Sequence, residues 1–155
     1  MQSSRKLIAP ILGIAAVVQA CAARADCFEE AARYQQVNPT ILRAIAWQES
    51  HGRADARHVN VDGSVDLGMM QINSIHLRAL APYGVSRPML MDGCVSVYVA
   101  AWHLKSKMVK YGNTWTAVGA YHSESPHENM VYQRQVEAIV RRMQNAGGTA
   151  VADAR

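Results

Sequence analysis

Apolar residues recur with helical spacing between Pro39 and Ser50, and one position of the apolar stripe is a carboxylate. Asn38 is a favourable N-cap, and proline is favourable at the first helical position that follows it. The i, i+3, i+4, i+7 stripe consists of Leu42, Ile45, Ala46 and Glu49. Burial on this stripe would disfavour the charged form of Glu49 and raise its pKa, which keeps a carboxylic acid ready to act as a general acid. The alternative is a helix-end glutamate whose carboxylate reaches water where Gly52 ends the helix.

Further segments have helical periodicity, and a mainly α domain is therefore expected. A first helix is predicted over residues 27–36, and the clearest helix covers residues 92–111. A Gly-Asn pair ends the long helix, and a threonine then caps a short helix over residues 114–121. The last predicted helix covers residues 128–144, and the small, Gly- and Ala-rich residues 145–155 predict a disordered tail.

Between the Glu49 helix and the long helix, the pattern changes from helical to alternating. Apolar and polar residues alternate from Val59 to Asp66 around an Asp-Gly pair, which predicts a small β-hairpin. Helical sequence is expected to resume near Gly68 and to break near Pro82 and Gly84. The predicted architecture is one helical domain over residues 26–144 with a β-hairpin beside the catalytic candidate.

The first 25 residues have the three parts of a secretory signal peptide. Arg5 and Lys6 precede an apolar run from residue 7 to about residue 20, and Ala23-Arg24-Ala25 supplies the small residues of a cleavage site after Ala25. The run is shorter than the roughly 20 apolar residues that a transmembrane helix needs, so an uncleaved anchor is the disfavoured alternative. We therefore expect an exported, periplasmic protein without stable membrane insertion.

Removal of the signal peptide changes both the charge and the cysteine count. The formal net charge of +4 includes Arg5, Lys6 and Arg24, so the loss of these three cations leaves +1, which gives no support to nucleic-acid binding. Cys21 leaves with the signal, and Cys27 and Cys94 are then an even pair in an oxidising compartment, which predicts one disulfide. The alternative for Cys21 is lipidation, which the bulky Gln19 disfavours.

Three short motifs occur in a fixed order along the chain: Glu49-Ser50 at a helix end, Gly68-Met69-Met70-Gln71-Ile72-Asn73 after the hairpin, and Ala120-Tyr121-His122-Ser123. Together they resemble the motifs of soluble lytic transglycosylases, lysozyme-like (goose-type) enzymes that cleave the glycan strands of bacterial peptidoglycan. The resemblance covers about residues 27–143 and is greatest to the specialised IagB/IpgF-like group encoded with secretion, pilus or conjugation machines. It implies peptidoglycan as the main partner, a component of such a machine as a second partner, a monomeric state and no cofactor.

The resemblance also implies a role for each matched residue. Glu49 would protonate the oxygen of the β-1,4 bond between MurNAc and GlcNAc, and would then take the proton from the 6-hydroxyl as a 1,6-anhydro ring closes. Ser50 would orient this acid and the acetamido group of the sugar, and Gly68 would let the backbone approach the substrate. Further sugar contacts are implied for Met70, Gln71, Asn73, Tyr121, His122 and Tyr132, and Tyr132 matches a tyrosine that lies near the catalytic acid in similar proteins. The alternative is that the methionines and tyrosines are ordinary core residues.

Asp66 has two interpretations. It pairs with Glu49 as nucleophile or charge stabiliser, as in lysozymes that use two carboxylates, or it caps the helix expected near Gly68. The first interpretation leaves a lysozyme-type hydrolase (muramidase) as the rival enzyme. A non-catalytic peptidoglycan-binding assembly protein is the rival of another class, and the desolvation of Glu49 argues against it. The six histidines have no zinc-site spacing, so no metal site is expected.

Overall fold

The computed structural model describes the chain from residue 26 to residue 152, with side chains up to residue 146. The predicted signal peptide lies outside the described residues. The helices are α1 Cys27–Gln35, α2 Pro39–Ser50, α3 Leu77–Leu80, α4 Gly93–Tyr111, α5 Trp115–His122 and α6 Pro126–Ala152, and the strands are β1 Arg57–Val59, β2 Val65–Leu67 and β3 Ile72–Asn73. Short 3-10 helices lie at Ser74–His76, Ala81–Tyr83 and Pro88–Met91. The prediction of a mainly α fold with a small β element is confirmed.

Helix α2 begins and ends as the local sequence predicts. The Asn38 side chain accepts hydrogen bonds from the backbone N–H groups of Thr40 and Ile41, at 2.8 and 3.4 Å. The helix ends at His51, whose φ of 56° is left-handed. The apolar residues of the predicted stripe are buried between α1, α4 and α6: Leu42, Ile45 and Ala46. This packing fixes the rotation of α2 and therefore the direction in which Glu49 points.

The sheet contains the predicted hairpin and one strand that the sequence did not predict. Strands β1 and β2 are antiparallel, and β3 adds to β2 with Asn73 opposite Asp66. The helical segment expected to begin near Gly68 begins only at Ser74 and ends at Gly84 as predicted, because residues 68–71 form a tight turn. Gly68 and Gln71 have φ values of +73° and +48°, which an α-helix does not accommodate. Asp66 therefore caps no helix and lies in the middle of β2.

Helix α4 packs against both α1 and α5, and a disulfide joins it to α1. The predicted disulfide between Cys27 and Cys94 is present, with 5.3 Å between the two Cα atoms. It closes a loop across 67 residues, and a link of this kind typically stabilises a fold by about 2–4 kcal/mol. The N-terminal helix that supports α2 is thus covalently tied to the core.

Helix α6 continues to Ala152, beyond the end that the sequence predicted at residue 144. Residues 145–152 are therefore helical where a disordered tail was expected. They contain no proline, and extending an existing helix is much easier than nucleating one. Within residues 26–152, none of the helices has the length and apolar character that crossing a bilayer requires.

Candidate active site

A cavity of about 510 Å³ lies between the sheet and the helices. The helices contribute Glu49, His103, Tyr121 and His122 to its walls. The sheet and the segments next to it contribute Asn60, Val61, Asp62, Ser64, Asp66, Gln71, Ile72, Asn73, Ile75 and His76. The fold thus brings the two candidate carboxylates to one cavity, Glu49 from helix α2 and Asp66 from strand β2.

Glu49 lies in the last turn of α2, where its carboxyl group receives a hydrogen bond from the Tyr132 hydroxyl. Burial raises the pKa of Glu49 to about 7, the Tyr132 hydrogen bond opposes this rise, and the nearby charge of Asp66 adds to it. Tyr132 donates to Oε1, so the acidic proton of the neutral carboxyl lies on Oε2. Glu49 is therefore a carboxylic acid that keeps its proton up to neutral pH.

Tyr132 binds the carboxyl group of the candidate acid and does not line the cavity. Its side chain is buried and its hydroxyl is used by Glu49, so the predicted sugar contact does not fit its position. The ring of His122, which is exposed, stacks on Tyr132 with 4.9 Å between ring centroids and 7° between planes. Burial, together with the charge of Glu49, raises the pKa of Tyr132 well above its usual value, so its hydroxyl stays protonated and donates.

Three residues predicted to contact the sugar instead hold the turn beneath the cavity. The Ser50 hydroxyl donates to the Met69 carbonyl at 2.7 Å, and the Met70 side chain is fully buried in the core. A Cβ on Gly68 would lie 1.9 Å from the Leu90 carbonyl oxygen, so the close backbone approach is to the protein and not to a ligand. The motif residues Ser50, Gly68 and Met70 therefore hold the turn that lies beneath the cavity.

The same turn also receives a hydrogen bond from the third motif. The Tyr121 hydroxyl donates to the Met70 carbonyl at 2.9 Å, and the Met70 N–H donates to Ser96 Oγ at 3.1 Å. Burial raises the pKa of Tyr121 well above its usual value, so the donor persists. The three sequence motifs thus meet at the turn of residues 68–71, which connects α2, the sheet and α5.

Gln71 and Asn73, which were predicted to contact the sugar, line the cavity, but most of their polar atoms are already used. Gln71 Nε2 donates to the carbonyls of Ala56 and Gly68 at 3.2 and 2.9 Å, which leaves its Oε1 as the group available to a ligand. Asn73 Nδ2 donates to Asp66 Oδ1 at 2.8 Å and to Ser64 Oγ at 3.0 Å. Asn73 therefore positions Asp66 as well as facing the cavity.

Asp66 is held by two amide side chains, one on each carboxylate oxygen. Asn60 Nδ2 donates to Oδ2 at 3.0 Å, opposite the Asn73 contact on Oδ1. Asn60 and Ser64 were not predicted as site residues, although their pattern in the sequence was a signal. The signal is a polar residue at every second position of the predicted hairpin and its turn, namely Asn60, Asp62, Ser64 and Asp66. All of them line the cavity.

Two histidines at the cavity wall were also missed. His76 follows β3, His103 lies on α4, and their ring centroids are 4.8 Å apart. The two residues are far apart in the sequence, so only the tertiary structure brings them together. Within the described residues, no three His, Cys, Asp or Glu side chains are arranged to hold a metal ion.

The family model for the transglycosylase SLT domain matches residues 26–137, which include every residue that lines the cavity. The chain belongs to the transglycosylase SLT domain family. Its fold is lysozyme-like, and membership supports peptidoglycan lytic transglycosylase activity. Proteins of this family act on peptidoglycan, which lies outside the cytoplasm.

Proteins of Salmonella, Shigella and Escherichia are similar to this chain. Invasion protein IagB of Salmonella typhimurium is 42% identical over 117 residues, which cover 74% of this chain and 73% of the relative. Protein IpgF of Shigella flexneri is 40% identical over 121 residues, covering 77% of this chain and 80% of the relative. An X polypeptide of Escherichia coli is 40% identical over 99 residues, covering 63% and 59%. The resemblance to the IagB/IpgF-like group of SLT proteins is confirmed.

The buried acid of this SLT domain predicts a pH-dependent difference in stability between the wild type and Glu49→Gln. The pKa of Glu49 is about 7 in the folded state and about 4.5 in an unfolded chain. Between these values, the unfolded state releases its proton and the folded state retains it, so wild-type stability is lost as pH rises, by up to about 3 kcal/mol in total. Above pH 7 both states are ionised, and the loss stays constant.

Chemical denaturation of both proteins between pH 4 and pH 8 measures this effect. Glutamine carries no charge at any of these pH values, so the stability of Glu49→Gln relative to the wild type is expected to rise between pH 4.5 and pH 7. A difference that does not change with pH would mean that Glu49 is solvated and has an ordinary pKa.

Proposed function

We propose that this protein is a lytic transglycosylase that cleaves the β-1,4 bond between MurNAc and GlcNAc in peptidoglycan and leaves a 1,6-anhydro-MurNAc end. The observation that carries the proposal is Glu49, a carboxyl group with a pKa of about 7 at the wall of the cavity of an SLT domain. A non-catalytic glycan-binding protein would have no use for a buried acid of this kind, which lowers stability above pH 5.

In the first step, Glu49 acts as a general acid. The proton on Oε2 moves to the glycosidic oxygen, the bond from that oxygen to C1 of MurNAc breaks, and the GlcNAc leaves as an alcohol. Positive charge develops at C1 and at the ring oxygen. The Tyr132 hydroxyl remains hydrogen-bonded to Oε1 and stabilises the carboxylate that forms.

In the second step, the same carboxylate acts as a base. Glu49 takes the proton from the 6-hydroxyl of MurNAc, and the 6-oxygen forms a bond to C1, which closes the anhydro ring. The proton returns to Glu49, no water is consumed, and the enzyme is ready for another cycle. One carboxyl whose pKa lies near neutral pH serves both steps, because it both donates and accepts protons at that pH.

The proposed role of Asp66 is to stabilise the positive charge that develops on the sugar. Its carboxylate lines the same cavity as Glu49 and is fixed by Asn60 and Asn73. A fixed negative charge near a developing cation lowers the barrier without forming a bond to it. The rival is a muramidase in which Asp66 acts as the nucleophile or assists the attack of water.

Asp66→Asn is expected to lower the rate of fragment release about 10- to 100-fold, since it removes the charge and keeps the size of the side chain. It should also move the alkaline limb of the pH–rate profile to lower pH, because the charge of Asp66 helps to raise the pKa of Glu49. Asp62→Asn is the control, because this exposed carboxylate lines the same cavity and does not affect Glu49. Equal rates for the two variants would contradict a role for Asp66.

Mass spectrometry of the fragments released from purified peptidoglycan by residues 26–155 tests the proposed reaction. Every cleavage is expected to leave a 1,6-anhydro-MurNAc end. Reducing ends would overturn the proposal in favour of the hydrolase, and no release would favour the binding protein.

We also propose that the protein is exported to the periplasm and opens the wall locally for a secretion, pilus or conjugation machine. The support is the signal-peptide pattern of residues 1–25 and the similarity to proteins named Invasion protein IagB and Protein IpgF. Edman sequencing of the secreted form is expected to begin at Asp26. A Glu49→Gln strain that still assembles a working machine would contradict a catalytic role in assembly.

A further inference from the structure

The His76–His103 pair joins the two sides of the cavity, and the reaction proposed above does not use it. His76 follows the sheet, His103 lies on α4, and both line the cavity with ring centroids 4.8 Å apart. The Tyr121 ring contacts His103 edge-on, with 5.1 Å between the centroids. Side chains from two other elements therefore contact the His103 ring, and one of them, Tyr121, donates a hydrogen bond to the turn of residues 68–71.

The hydrogen bonds of His103 determine which ring nitrogen carries its proton. Nε2 lies 3.2 Å from the Tyr121 carbonyl oxygen, which can only accept, so Nε2 is protonated and donates. The ring is neutral near pH 7, since burial and the charges of His76 and Lys107 lower its pKa to about 4 against the weaker opposing effects of Tyr121 and Glu124. Nδ1 of the neutral ring is consequently an unprotonated acceptor.

Among the residues that the structure describes, this acceptor has no hydrogen-bond partner. His103 makes no side-chain hydrogen bond besides the one to Tyr121, and within the described residues Arg43 Nη1 is the one buried side-chain polar atom that lacks a partner. Nδ1 is therefore accessible, and the cavity is the space that His103 lines. The amide N–H groups of Gln71 and Asn73, in contrast, are already donated within the protein.

We propose that His103 is a substrate-binding residue whose Nδ1 accepts a hydrogen bond from a hydroxyl or acetamido N–H group of the bound glycan, with His76 packed against the ring to hold it. The inference rests on the proposed function, since it concerns how the same cavity binds the same class of substrate. A sugar has many hydroxyl and N–H donors. A ring nitrogen that lines the cavity and has no partner among the described residues can accept a hydrogen bond from one of them.

Two substitutions of His103 separate glycan binding from support of the fold, because one keeps the hydrogen-bond donor of the ring and the other keeps the acceptor. His103→Gln keeps a donor near the position of Nε2 for the Tyr121 carbonyl and removes the acceptor at Nδ1. His103→Asn keeps an acceptor near the position of Nδ1 and loses the donor to Tyr121. Both are made in the Glu49→Gln protein, so that no turnover occurs, and binding of a soluble GlcNAc oligomer is measured by calorimetry.

The expected result is a 3- to 10-fold weaker affinity for His103→Gln, roughly the effect of one hydrogen bond, with an unchanged melting temperature. His103→Asn is expected to bind nearly as well as its parent and to melt at a lower temperature. An affinity of His103→Gln equal to that of its parent would show that Nδ1 accepts no hydrogen bond from the glycan and would overturn the inference. A de-N-acetylated oligomer identifies the donor: loss of the His103 effect indicates the acetamido N–H, and its retention indicates a hydroxyl.

A second measurement requires no change at His103. The ¹⁵N resonance of Nδ1 in the Glu49→Gln protein is expected to shift when the oligomer is added, and an unchanged resonance at saturation would overturn the inference. Absence of any oligomer binding would do the same, whereas release of anhydro fragments by the wild type would still support the proposed function. The two proposals therefore fail separately.

Discussion

Replacing Glu49 with glutamine is expected to reduce fragment release from peptidoglycan by roughly 10²- to 10⁴-fold, the contribution of a positioned general acid–base group. The upper part of that range is the expectation here, because one carboxyl is proposed to act in both proton transfers. Glutamine has nearly the same shape, and its Oε1 can still accept the Tyr132 hydrogen bond. The Glu49→Gln substitution therefore removes the acidic proton and keeps the packing of the side chain.

The rate of release of anhydro-MurNAc fragments, quantified by mass spectrometry, measures the effect of Glu49→Gln. Glu128→Gln is the matched control, since Glu128 is exposed in the first turn of α6 and lies outside the cavity. Its rate should equal that of the wild type. A Glu49→Gln protein that binds glycan and releases fragments at more than about a tenth of the wild-type rate would contradict the assignment of Glu49 as the acid.

The fold was predictable where a local signal decided the structure. The Asn-Pro start of α2, the threonine before α5 and the Asp-Gly turn of the hairpin each act through their immediate neighbours. The turn at residues 68–71 was not predictable in this way. Apart from Gly68, its residues have ordinary helical propensity. Its shape depends on contacts with Ser50, Ser96 and Tyr121, which come from distant parts of the chain.

The candidate site shows the same division. Glu49 was identifiable from sequence because it interrupts an apolar stripe, which is a property of one helix. The resemblance to known motifs indicated Ser50, Gly68 and Met70 as well, but motif membership does not distinguish a residue that contacts a ligand from one that supports a residue that does. The burial of all three places them in the second group. His103 had no local signal at all, because its environment is made by His76 and Tyr121.

Gly68→Ala is expected to destabilise the protein more than any other glycine-to-alanine change among residues 63–84. The φ of +73° is strained for alanine, by about 1–3 kcal/mol, and the new methyl group would lie 1.9 Å from the Leu90 carbonyl oxygen. That neighbour is backbone, and Leu90 is fully buried, so overpacking adds about 1–3 kcal/mol. The total loss of unfolding free energy is expected to be about 2–6 kcal/mol, measured by chemical denaturation.

Gly84→Ala separates the two contributions. Gly84 has the same φ of +73°, but a Cβ there would meet nothing within 4 Å, so this variant suffers the backbone strain alone. The difference between the two variants is therefore the free energy of the clash with Leu90. Because the turn must move to relieve that clash, its hydrogen bonds from Ser50 and Tyr121 should weaken, and activity should fall in Gly68→Ala even at temperatures where it is folded. Equal stabilities for Gly68→Ala and Gly84→Ala would mean that the turn is not held against Leu90, and would remove the physical basis for assigning the Gly-Met-Met-Gln segment to the support of the site.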